Sequence, residues 1–205
     1  MKIWGRITSI NVRKVVLTAQ WLGLAFERID AGRQFGIVQT EAYRARNPNG
    51  LIPLLDDDGF ELWESNAIVR YLAAKHAPRT LYPEPLQARF DAERWMDWQQ
   101  TTLNIAGKDA FVQLIRTAPE ARSDALIARS VSATESLWDL LERHLARQPF
   151  LAGDHFTMAD IPIACEAHRW RGLGLAPHPR AHLDAWYARI ASSEAARGVF
   201  DIPLE

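Results

Sequence analysis

Three prolines in eight residues, Pro78, Pro83 and Pro85 in HAPRTLYPEPLQ, divide the chain into two parts of different periodicity. Proline fixes φ and removes a backbone donor, so the stretch neither continues a helix nor joins a sheet, and residues 79–86 read as a linker. Before it, residues 2–5 and 26–30 are strand candidates, separated by a helical pattern of Val12, Val15, Val16, Ala19 and Leu22 that stops at Gly23. Residues 52–56 and 60–62 flank Asp-Asp-Gly, a hairpin signal, and Ala67, Ile68, Tyr71, Leu72 and Lys75 trace another helix. After the linker only helical spacing recurs, over 86–116, 121–147, 158–171 and 179–191. The expected fold is therefore α/β plus all-α: a β-α-β, β-β-α unit over residues 1–78 and an all-helical unit over 87–205.

The 24 basic and 25 acidic residues are dispersed, with a net charge of −1, so no phosphate-tracking surface and no nucleic-acid partner are expected. The one cysteine, Cys165, excludes an internal disulfide framework, and no Cys/His cluster has zinc-site spacing, which fits a reducing cytoplasm and no metal. Lys2, Arg6, Arg13 and Lys14 interrupt any apolar run of a secretory signal. The uncharged stretch 15–26 falls well short of the ~18 residues of a membrane span, so a soluble, cytoplasmic protein without membrane contact is expected.

Three short segments carry polar groups in places where a ligand could use them. GRITSINVRK lacks the glycine spacing of nucleotide-binding loops, but it sets Thr8, Ser9 and Asn11 before a helix, where backbone N–H donors are unpaired. Ser9 or Asn11 caps that helix, or Ser9 donates to an anion held at its N-terminus. In NPNGLIPLL, Pro53 heads an apolar strand, a position that tolerates proline. X-Pro bonds are cis only ~5–6% of the time, yet a cis Ile52–Pro53 bond would turn the Ile52 N–H and C=O outward toward an extended peptide. In WESNAI, Glu64 and Ser65 either open a helix or bind an amino-acid head, the hydroxyl and helix N–H groups taking its carboxylate and Glu64 its ammonium. Thr157-Met158-Ala159-Asp160 reads as a structural capping box.

Taken together, these pieces resemble the cytosolic glutathione transferase family over the whole chain, in its serine-type, bacterial branch, theta- or nu-like. NPNGLIP followed by WESNAI is the most specific part of the likeness. The resemblance implies a thioredoxin-like first domain in which Pro53 is a cis-proline, Ile52 bonds the cysteinyl part of glutathione, and Glu64 and Ser65 hold its γ-glutamyl head. It implies Ser9 as the catalytic residue, with Asn11 beside it. Many members carry a basic residue where this chain has Leu51, so Gln39 or Arg13 is the candidate for the glycyl carboxylate. The electrophile is expected between the domains, against Trp98, Thr102 and Phe111. A homodimer, a role in detoxification and glutathione as co-substrate follow from the same likeness. Glutathione-dependent disulfide reduction and non-catalytic glutathione binding are the alternatives, because fold alone does not fix function.

Overall fold

The structure, a computed structural model, describes residues 1–176 and 178–205. Four short strands form a mixed sheet in the order β2-β1-β3-β4: β1 (Lys2–Trp4), β2 (Glu27–Ile29), β3 (Leu54–Asp57) and β4 (Phe60–Trp63). β1 runs parallel to β2 and antiparallel to β3, with Ile3 opposite Leu55, and β3 and β4 form the expected hairpin. The parallel pair needs a crossover, which α1 (Ile10–Trp21) supplies. α3 (Ser65–His76) follows β4 and packs across α1. One element was not anticipated, the two-turn helix α2 (Glu41–Arg46), opened by Thr40, whose Oγ1 accepts from the Tyr43 N–H at 3.3 Å. Six residues are too few for an apolar period to show.

α1 is buried on all sides from Val12 to Ala19, Arg13 and Lys14 included. A helix enclosed in this way packs against neighbours all round. It touches α3 in the first half of the chain and α7 (Asp160–Arg171) in the second. The second half also contains α4 (Leu86–Trp98), α5 (Asn104–Phe111), α6 (Asp124–Leu145) and α8 (Ala181–Ala191). The single helical pattern read over 86–116 is interrupted by two π-helical turns, Gln99–Leu103 and Val112–Arg116.

A buried polar chain crosses between the halves. Lys14 Nζ donates to Gln99 Oε1 at 2.9 Å, and Gln99 Nε2 donates to Glu166 Oε1 at 2.8 Å. Glu166 pairs with Arg169 at 2.6 Å, and Arg169 donates to Asn104 Oδ1 at 2.9 Å. Asn66 Nδ2 reaches the Met96 carbonyl at 2.9 Å.

Thr157 and Asp160 form the acidic half of the expected box, Asp160 Oδ2 accepting from the Thr157 N–H at 2.9 Å. The threonine hydroxyl turns instead to the Ala159 N–H, at 3.3 Å. Asp160, fully buried, does more than cap: its Oδ1 also accepts from the Leu151 N–H at 3.0 Å and the Trp186 indole at 2.9 Å, tying α7 to α8 and to the loop after α6. Among the described residues no helix is long and apolar enough to cross a membrane.

Candidate active site

The Ile52–Pro53 bond is cis, and it sits just ahead of β3, where the ladder has not begun. Among the described residues neither the N–H nor the C=O of Ile52 is taken by another backbone group. The loop is held from behind by Tyr43 Oη and Asn47 Nδ2, which donate to the Leu51 carbonyl at 2.7 and 2.8 Å. One hairpin later Glu64 stands in the left-handed region, φ 71°, immediately before Ser65, the first residue of α3. Non-glycine residues at such angles are uncommon and cluster at ligand sites. Ser65 is buried, whereas Glu64 is exposed and has no ion-pair partner among the described residues.

At the β1-to-α1 junction Ser9 occupies the position before the first turn with extended backbone, yet its hydroxyl makes no capping bond. Asn11 Oδ1 is buried and also has no partner. Both line a cavity of about 560 Å³ between the two halves of the chain, together with Ile52, Phe111, Arg116 and Leu204. Cys165 and His168 line it too. Burial pushes the Cys165 thiol up to about 12, so it stays protonated, and burial beside Arg13 holds His168 down at about 4, so it stays neutral.

The residues after the last helix return to this cavity. Arg13, 1% exposed, donates to the carbonyls of Val199, Ile202 and Pro203, the latter two at 2.8 Å. Leu204 then packs with Phe111 and Leu173, and the Glu205 carboxylate accepts from the Thr8 hydroxyl at 2.6 Å. Arg33 Nη1 faces the same carboxylate at 3.4 Å.

The N-terminal-domain pattern of the glutathione S-transferases matches residues 5–80, and their C-terminal-domain pattern matches residues 124–189. Glutathione S-transferase GstB of Escherichia coli K12 is 43% identical over 204 residues, covering 98% of each chain. This chain belongs to the glutathione S-transferase family. A solved theta class glutathione S-transferase from Xanthomonas axonopodis pv. citri, with glutathione bound, superimposes with a TM-score of 0.95 at 41% identity, over 100% of this chain and 98% of that one. A glutathione S-transferase from Pseudomonas fluorescens gives 0.84 at 31% identity, over 95% and 96%. The thioredoxin-like first domain and helical second domain expected of the family are both present.

Within this family member Ser9, Asn11, Ile52 and Phe111 meet in one cavity, and Pro53, Glu64 and Ser65 lie along the same loop-to-helix path. Arg13 lines the cavity too, but it is spent on the Val199, Ile202 and Pro203 carbonyls and is not free for a glycyl carboxylate. The remaining expected residues do not line it. Gln39 is exposed, its Oε1 accepting from Arg44, and it sits beside Gly50 outside the cavity lining. Trp98 packs edge-on against Trp95, with centroids 5.4 Å apart, and neither Trp98 nor Thr102 lines the cavity. The sequence reading missed Arg6, Arg33, Arg116 and Glu205, which come from four separate segments and share no local spacing.

Proposed function

We propose that this chain is a glutathione transferase that binds glutathione along the Ile52–Ser65 path, stabilises its thiolate at Ser9 and adds the sulfur to an electrophilic small molecule. The free backbone pair of Ile52 beside the cis bond suits the cysteinyl part of the tripeptide. Glu64 and Ser65 suit its γ-glutamyl ammonium and carboxylate, with the α3 N-terminus behind them.

The observation that carries the reading is the Ser9 hydroxyl: it stands at a helix start, lines the cavity and makes no capping bond among the described residues. The thiolate is the nucleophile, and with a thiol pKa of ~8.5 only about 3% is ionised at pH 7. Lowering the pKa by two units raises that to roughly 75% and requires about 2.7 kcal/mol. A charge-assisted hydrogen bond supplies ~1.5–3 kcal/mol and a helix N-terminus ~0.3–1, so one hydroxyl and α1 suffice. The S–C bond then forms as the leaving group departs with its electron pair, or as the carbanion of an activated alkene takes a proton from water. Ser9 remains protonated throughout.

Ser9→Ala is expected to raise the pKa of enzyme-bound glutathione by about 1–2 units while the glutathione KM changes little. Thiolate absorbance against pH reads this directly. An unchanged titration in Ser9→Ala with a shifted one in Asn11→Ala would transfer the role to Asn11.

A further inference from the structure

Three cations gather around Glu205. Arg33 faces its carboxylate at 3.4 Å, Arg116 donates to the Glu205 main-chain oxygen at 3.2 Å, and Arg6 stands behind. Arg6 is 9% exposed, and its Nε is buried without a hydrogen-bond partner, although the side chain lines the cavity. Gly32, at φ 82°, makes room for it, since a Cβ there would stand 3.1 Å from Arg6 Nη1. Burial, followed by the charges of Arg33, Arg6 and Arg169, lowers Arg116 to about 10. Arg169 has its own partners in Glu166 and Asn104, and Lys108 adds a further cation to the lining. Of the three, Arg6 is buried while Arg33 and Arg116 are exposed at the rim, and with the Glu205 carboxylate facing Arg33 the Arg6 Nε has no hydrogen-bond partner among the described residues, a buried donor that an anion entering the cavity could satisfy.

Glu205 is held by polar contacts that an incoming anion can replace: its carboxylate accepts from the Thr8 hydroxyl and faces Arg33, and its main-chain oxygen accepts from Arg116. Arg116 and Arg169 pack against Phe111, their guanidinium carbons 4.5 and 5.0 Å from its ring centroid, and the largely buried ring lines the cavity beside them.

We propose that this cluster is the subsite for the carboxylate of an anionic electrophile, and that residues 204–205 occupy it as an internal stand-in that the substrate displaces. The proposal rests on the transferase reading and adds the chemical class of the second substrate. The cluster draws Arg6 and Arg33 from the first half and Arg116, with Phe111, from the helical half; it is assigned to the electrophile on the helical-half members, and the kinetics of Arg116→Gln separate that assignment from one to a glutathione carboxylate. In the reaction the thiolate attacks the carbon bearing the leaving group, the C–S bond forms, the leaving group departs with the bonding pair, and the carboxylate stays on the arginines.

The test compares 4-chloro-3,5-dinitrobenzoate with its methyl ester, both of which lose chloride to the glutathione thiolate, each rate being divided by its uncatalysed rate. The parent is expected to favour the acid by about tenfold or more in kcat/KM, the range of a charge-assisted hydrogen bond, and Arg116→Gln to remove most of that preference. Gly172→Ala crowds Leu204 without touching an arginine, because its Cβ would stand 2.7 Å from Leu204 Cδ1 and 3.0 Å from Cγ, so the segment must shift. With Glu205→Gln, it should lower KM for the acid and not for the ester. Equal use of acid and ester by the parent overturns the proposal and leaves the transferase reading intact. An Arg116→Gln effect confined to the glutathione KM overturns it as well, by assigning the cluster to glutathione's own carboxylate. Turnover of neither probe, with no heat of glutathione binding, overturns both.

Discussion

Replacing Asp160 by asparagine should destabilise the protein by an amount that depends on pH. The carboxylate accepts from three buried donors, the N–H groups of Leu151 and Thr157 and the indole of Trp186, all within 3.0 Å. An asparagine oxygen can serve the Leu151 and Trp186 donors, leaving its amide nitrogen against the Thr157 N–H. The loss is one charge-assisted bond, about 1.5–3 kcal/mol at neutral pH. Burial raises the Asp160 pKa from 3.8 to about 6, because desolvation outweighs the bonds that favour the charged form. Between those values the folded protein holds a proton that the unfolded chain has released, so this group's contribution is full below the unfolded pKa and is lost as pH rises through the folded one. From pH 4.5 to pH 7 the parent therefore loses about 2 kcal/mol through this residue, a loss the asparagine variant does not share. Other titrations are common to both proteins and cancel in the difference. Urea unfolding of the pair at fixed protein concentration, compared through midpoint and slope, should give a difference that shrinks by that amount as pH rises. A difference that is constant across the range, or that grows with pH, would refute the reasoning.

The buried Lys14 ammonium is lowered to about 8 by desolvation, so the unfolded chain binds more protons between pH 8 and 10.5. Stability should rise by about 3 kcal/mol across that window in the parent and not in Lys14→Met, measured by thermal or urea unfolding. Asn66→Ala removes the bond to the Met96 carbonyl and should cost about 1–3 kcal/mol, seen as a lower urea midpoint. Gly5→Ala should cost about 2–5 kcal/mol, since φ is +148° there and a Cβ would overlap Val12 Cγ2; soluble yield and melting temperature report it.

The elements with a regular apolar period were legible from the sequence: the strands around Ile3 and Leu55, the α1 stripe, and the long helix α6 differ from expectation only at their ends. The cis bond could not be derived from residue type, which favours trans; only the surrounding NPNGLIP motif pointed to it. The helix read over 86–116 shows a different limit. Each π-helical turn accommodates one residue more than an α turn and shifts the phase of all later side chains by about 100°. A 3.6-residue period projected from α4 therefore does not carry past these turns: Arg116, inside the second, lines the cavity unexpectedly and Thr102, inside the first, does not, whereas Trp98, ahead of both, is turned against Trp95 and Phe111 lines the cavity as expected. The arginine cluster was invisible for a simpler reason. Thr8 and Glu205 are 197 residues apart, and no window along the chain contains both.

The enclosure of α1 bears on what the linker divides. A helix buried on every face, with an ammonium bonded to a glutamine of the opposite half, has no side prepared for water once either half is removed. Residues 1–78 expressed alone would strip Arg13 and Lys14 of their partners at Val199–Pro203 and Gln99, uncover the side of α1 that meets α7, and should aggregate or recruit a foreign partner. The prolines at 78–85 thus mark a seam in the written chain, while in the melting of the protein the two halves are expected to go as one.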